Sequence, residues 1–158
     1  MIEIEEKLVQ MLAEMGLTIS TAESCTGGML ASRIIDISGA SDVYSEGFIT
    51  YSNEAKMKYL KVKDETLETY SAVSKETVLQ MAEGCRNETG SDVALVTTGI
   101  AGPGGGSAEK PVGLVYIGCA YKDEVISREF RFSGDRYEIR RQAVEQAIAL
   151  AVEMLENQ

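Results

Sequence analysis

Residues 93–98 read Val-Ala-Leu-Val-Thr-Thr, a run without a single charge. A continuous apolar, β-branched stretch has no polar face to turn to water, so it predicts a central strand buried on both sides. A sheet built around such a strand needs cover above and below, and the flanking sequence supplies helices for it. Ile4, Leu8, Met11, Leu12 and Met15 recur at helical spacing over residues 2–15, and Gly16 stops that helix. Residues 17–21 (LTIST) predict a short strand, 27–38 a helix closed by Gly39, and 43–51 a second strand. Ser52 predicts the N-cap of a short helix over 53–60, Asp64 caps one to about residue 69, and Ser74 one to about residue 87. After the central run come a loop over 99–113 and two strand patterns, 114–121 and 125–132, that predict a hairpin turning near 122–124. Ser133 is expected to cap a last helix over 136–156, whose inner face carries Ile139, Ala143, Ala147, Leu150 and Leu155.

Helices interleaved with strands and followed by a hairpin predict the α/β class. The expected architecture is a three-layer α/β/α sandwich around a mixed sheet of about five to six strands, because hairpin pairing is antiparallel. A chain of 158 residues fits one compact domain over 1–158.

Composition narrows the chemistry. There is no histidine, so Ser-His-Asp and Cys-His mechanisms are excluded within this chain. Cys25, Cys85 and Cys119 are odd in number and far apart, which suggests neither a disulfide framework nor a thiolate zinc site, and no metal is expected. A net charge of −10 disfavours direct contact with nucleic acid but leaves room for a small anion in one basic pocket. No apolar run approaches the ~20 residues of a membrane span. The opening MIEIEEKLVQ is acidic and amphipathic, unlike a signal peptide, so a cytoplasmic location with no membrane partner is expected.

Five segments carry candidate chemistry. TAESCTGG, residues 21–28, follows a strand and opens a helix, and Ser24, Thr26 and Gly27 would lie near a helix N-terminus, which favours a phosphate or carboxylate. A tight turn with an N-cap reads equally well. GIAGPGGGSAEKPVG, residues 99–113, holds six glycines and two prolines. A loop so long, at the end of a buried strand, is either a surface turn or a ligand loop. Ser41 in SGASD is an ordinary turn serine unless Tyr51 and Lys56 of GFITYSNEAK fold near it. Lys56 is a solvated helix lysine, or, if burial lowers its pKa, a base able to activate a hydroxyl without histidine. Arg136 in FSGDR is either a surface residue or a fork for an anion.

Taken together, TAESCTGG, GFITYSNEAK, GIAGPGGGSAEKPVG and FSGDR, in this order, resemble the family of CinA C-terminal domains and stand-alone nicotinamide mononucleotide deamidases. The resemblance runs from about residue 17 to about residue 148. It implies hydrolysis of nicotinamide mononucleotide to nicotinate mononucleotide and ammonia, in pyridine-nucleotide recycling, with no cofactor. Carried over position by position, it implies Ser41 as nucleophile, Lys56 as base and Tyr51 as its assistant. Ser24, Thr26, Gly27, Thr98, Gly99 and Arg136 fall to the substrate. The chain has Ala40 where many relatives have a second serine, so Ser41 is left as the candidate nucleophile of that turn. The family also implies a homo-oligomer. The nucleotide-pyrophosphate chemistry of the N-terminal domain of longer CinA proteins is not transferred. Two other readings keep the nucleotide site without turnover: a nucleotide-binding regulatory module, and a competence- or DNA-damage-associated partner. Ammonia release separates them from an amidase.

Overall fold

The structure, a computed structural model, describes residues 2–157. In chain order the elements are α1 (Ile4–Met15), β1 (Ile19–Glu23), α2 (Met29–Ile35), a 3₁₀ turn (Ala40–Asp42), β2 (Tyr44–Ile49), α3 (Asn53–Leu60), α4 (Asp64–Tyr70), α5 (Lys75–Thr89), β3 (Val93–Gly99), β4 (Leu114–Tyr121), β5 (Glu124–Arg131) and α6 (Arg136–Glu156). The strands form one sheet in the order β2-β1-β3-β4-β5. β1 is parallel to both β2 and β3, while β3–β4 and β4–β5 are antiparallel. The chain is therefore an α/β protein with a five-stranded mixed sheet between helical layers.

The 93–98 run sits third in that sheet. Val93, Leu95 and Val96 are at most 1% exposed, and each such burial contributes roughly 2 kcal/mol. Leu95 faces the layer of α1, α2 and α6, with Leu8, Leu12, Ile34, Val144 and Ile148. Ala94 and Val96 face the layer of α3, α4 and α5, with Leu60, Leu67, Val78 and Met81. Alternate residues of one strand thus feed two separate cores, which is why the run has no polar face. Among the described residues no helix is long and apolar enough to cross a membrane.

Local chemistry moved several predicted boundaries. β1 begins at Ile19 and continues through Glu23, because pairing on both edges holds its polar residues inside the sheet. α2 starts at Met29, since Gly27 (φ 55) and Gly28 (φ 103) are in the left-handed region. Asp64 is the first residue of α4, whose cap position is Lys63. The cap of α6 is Asp135, not Ser133. Its carboxylate accepts from Glu138 N at 2.9 Å while Glu138 accepts from Asp135 N at 3.1 Å, a reciprocal pair that satisfies two helix-end donors. Ser52 and Ser74 cap α3 and α5 as predicted.

Gly84 lets α5 approach the end of α3: a Cβ there would collide with the carbonyl of Leu60. Helix propensity alone makes Gly→Ala favourable by about 1 kcal/mol. Collision with rigid backbone outweighs it, so Gly84→Ala is expected to destabilise the protein by about 2 kcal/mol. The check is a lower urea midpoint at unchanged slope, and a raised midpoint would refute the packing argument.

Candidate active site

Three parallel strands deliver their carboxyl ends to the same edge of the sheet. The β1–β2 crossover runs through α2 on one face, and the β2–β3 crossover through α3, α4 and α5 on the other. Crossovers that part to opposite faces leave a crevice outside the strand ends. A cavity of about 270 Å³ lies there. Ser24 and Cys25 reach it from the end of β1, Tyr51 from the end of β2, and Thr98 and Gly99 from the end of β3. Asn53 and Lys56 enter from α3, Ala72 and Val73 from the turn before α5, Ala101 from the glycine-rich loop, and Arg136 from α6.

Lys56 is 1% exposed. Its Nζ lies 3.1 Å from Ser24 Oγ and 2.9 Å from the carbonyl oxygen of Thr50. Burial, which penalises the charged ammonium, pulls its pKa down from 10.5 to about 8, and the neighbouring Cys25 offsets this in part. The protonated amine donates to Ser24. Once neutral, its lone pair can accept the Ser24 proton across the same contact. The Thr50 carbonyl holds one N–H, which leaves the lone pair free to face the hydroxyl. Cys25 lines the cavity too, but burial pushes its thiol up to about 12, so it is not an activated nucleophile.

The loop that carries Ser24 is tied from behind. Glu23, 1% exposed, accepts from Thr26 Oγ1 at 2.6 Å and from the amides of Leu30 (2.8 Å) and Ala31 (3.1 Å). Thr26 also shares a 2.8 Å bond with Thr97. Arg140 donates to the carbonyls of Cys25 (2.9 Å) and Thr26 (3.0 Å). Backbone adds Ser24 N to Thr97 O at 3.0 Å. The hydroxyl facing Lys56 is therefore held by its neighbours on both sides.

Several expected site residues fall elsewhere. Ser41 is in the 3₁₀ turn before β2, in a separate depression with Ile35, Ile37 and Tyr44. Tyr51 and Lys56 follow β2, whose six residues span about 20 Å. A strand parallel to β1 carries its start to the opposite edge of the sheet from its end, so within this chain Ser41 and Lys56 do not meet. Ser24, expected as a substrate contact, is the hydroxyl against the amine. Thr26 and Gly27 do not line the cavity: the Thr26 hydroxyl is spent on Glu23 and Thr97, and Gly27 sits against Arg140. The helix N-terminus expected to hold a ligand anion is filled by the protein's own Glu23 carboxylate.

Thr98, Gly99, Tyr51 and Arg136 do line the cavity. Tyr51 is 63% exposed, and its phenol oxygen accepts from Arg136 Nη2 at 3.1 Å rather than from Lys56. Arg136 Nη1 donates to the carbonyl of Gly102 at 2.7 Å, so this side chain ties the glycine-rich loop to the end of β2. Sequence reasoning missed Glu23 and Arg140. A usable signal existed for the latter, since Arg136 and Arg140 are four apart and share a helix face. None existed for Glu23, whose partners come from folding.

The family described as "CinA C-terminal domain" matches residues 1–155. A "CinA-like protein" from Kosmotoga olearia is 52% identical over 140 residues, covering 89% of this chain and 34% of that protein. The chain spans about a third of the length of the curated relatives it matches. Among solved structures, the competence/damage inducible protein CihA from Agrobacterium tumefaciens superposes with a TM-score of 0.94 at 43% identity, covering 98% of this chain and 94% of that one. A CinA superfamily protein from Klebsiella pneumoniae gives 0.94 at 35% identity, covering 98% and 97%.

Proposed function

The chain belongs to the CinA C-terminal domain family, and from that premise we propose that it is a nicotinamide-nucleotide amidase in which Ser24 is the nucleophile and Lys56 its base. The observation that carries the reading is the buried amine, its pKa lowered to about 8, at 3.1 Å from a hydroxyl in a cavity. Both the substrate class, nicotinamide mononucleotide, and the reaction type, amide hydrolysis, come from the family resemblance, and the site supports them with a hydroxyl beside a buried amine.

Neutral Lys56 takes the Ser24 proton as Oγ bonds to the carboxamide carbon, whose carbonyl oxygen becomes an oxyanion. The amide N–H of Cys25, next in the chain to the nucleophile, is the proposed donor to that oxygen. The C–N bond then breaks, and ammonia leaves with the proton returned by Lys56. Water attacks the resulting Ser24 ester with Lys56 again as base, releasing the carboxylate and restoring the hydroxyl. The sum is amide plus water giving acid plus ammonia. Arg136 would exchange its bond to Tyr51 for the substrate phosphate, and Tyr51 would close that side of the cavity.

Incubation with nicotinamide mononucleotide is expected to release ammonia and nicotinate mononucleotide in equal amounts. Binding of the nucleotide with no ammonia would leave a binding module instead. The base form of Lys56 grows as pH rises through about 8. Below that value kcat/KM is therefore expected to climb roughly tenfold per pH unit, levelling off above it. A profile flat from pH 6 to pH 9 would remove Lys56 as the base.

A further inference from the structure

Ser71 ends α4 with φ 71 and ψ 172. That region is essentially reserved for glycine, and a residue with a side chain stays there only where its surroundings over-determine it. Here they do. The Ser71 carbonyl accepts from Thr77 Oγ1 at 2.7 Å and from Ser74 Oγ at 3.0 Å. From the other side comes Lys110 of the glycine-rich loop. Its Nζ donates to the carbonyl of Tyr70 at 2.7 Å, to Ser71 Oγ at 2.9 Å and to the carbonyl of Val73 at 2.6 Å. An ammonium has three N–H groups, and all three are committed to three residues of the 70–73 stretch. Lys110 is itself set by a small reciprocal turn, in which Ser107 N donates to its carbonyl at 2.8 Å and its own N–H to Ser107 Oγ at 3.0 Å.

The strained turn borders the cavity. Ala72 and Val73, directly after Ser71, line it, and Thr98 Oγ1 donates to the Ala72 carbonyl at 2.9 Å. We propose that Lys110 is a positioning residue: it clamps residues 70–73 in a backbone shape they would otherwise leave, and that shape presents the apolar wall of Ala72 and Val73 to the substrate. The kinetic consequence rests on the amidase reading, whereas the clamp has a readout of its own. Without the ammonium, the Tyr70 carbonyl and Ser71 Oγ lose a donor, the Val73 carbonyl keeps a 3.5 Å contact from Ser71 Oγ, and the Ser71 backbone relaxes to negative φ. The wall then withdraws, while Ser24 and Lys56, held by other elements, stay in place. Substrate and transition state lose the same contact, so KM changes and kcat does not.

The test uses the full chain with Lys110→Met. Expected are a KM for nicotinamide mononucleotide raised about tenfold, kcat within about threefold of the unsubstituted protein, and an unchanged pH profile. Amide hydrogen exchange over residues 70–74 should quicken. Adding Ser71→Gly to Lys110→Met should return KM towards its starting value, because glycine holds φ 71 without a clamp. Lys110→Met with unaltered KM and unaltered exchange overturns the proposal. If the unsubstituted protein releases no ammonia, the amidase reading fails by itself and exchange alone decides: quickened exchange keeps the clamp, unaltered exchange removes it.

Discussion

Ser24→Ala is expected to slow ammonia release from nicotinamide mononucleotide by about ten-thousand-fold, while Ser41→Ala stays within about threefold of the unsubstituted protein. The contrast follows from strand direction. Ser24 leaves β1 at the edge where Lys56 waits 3.1 Å away, and Ser41 enters β2 at the other edge. The adjacent thiol does not stand in for the lost hydroxyl. The adjacent Cys25 is 6% exposed, and its thiol is pushed up to about 12, so almost none is thiolate at neutral pH. Truncation should be tolerated structurally, since the loop is tied by Glu23, Arg140 and the Ser24 backbone rather than by the Ser24 side chain. The measurement is steady-state ammonia production beside a thermal melt. Loss in Ser41→Ala with full activity in Ser24→Ala would return the nucleophile to the 3₁₀ turn and reject the site described above.

Lys56→Met should lower kcat by about a thousandfold, the usual scale for a missing general base, and should do so without weakening the fold. The two signs are opposed for one physical reason. A lysine 1% exposed is held out of water, with the Thr50 carbonyl and the Ser24 hydroxyl as its hydrogen-bond partners among the described residues, and that burial lowers its pKa. An apolar side chain of similar length removes that desolvation cost, so the melting temperature should hold or rise. A surface lysine would behave otherwise, with little effect on either quantity. Near-normal turnover in Lys56→Met would end the case for the amine as base, and a collapsed melt would mean that its hydrogen bonds hold the strand ends together.

The architecture was legible from pattern because it depends on local periodicity. The charge-free 93–98 run demanded cover on both faces, helical spacing around it supplied the layers, and the 114–132 pattern supplied the antiparallel hairpin. Caps divided by chemistry. Ser52 and Ser74 were readable because a lone hydroxyl before a helix has one obvious use, whereas the α6 cap passed to Asp135 because Glu138 could answer it. The inventory of residue types was equally open to inspection: the absence of histidine left lysine as a possible base, and Lys56, by itself readable as a solvated helix lysine, was singled out by the family resemblance.

What the sequence determined alone is therefore the class of fold and the residue types open to the site, both properties of composition and short-range spacing. Which hydroxyl meets the amine was decided only in three dimensions. Ser24 is 32 positions from Lys56 and touches it, yet Ser41, closer along the chain, does not. Parallel pairing of β1 with β2 sorts residues by which end of a strand they occupy, not by their separation in the chain. The same packing filled the α2 N-terminus with Glu23, buried Lys56 enough to lower its pKa, and turned Arg136 towards Tyr51. Each of these depends on desolvation and on partners brought together from distant parts of the chain, and such contacts exist only once the sheet has assembled.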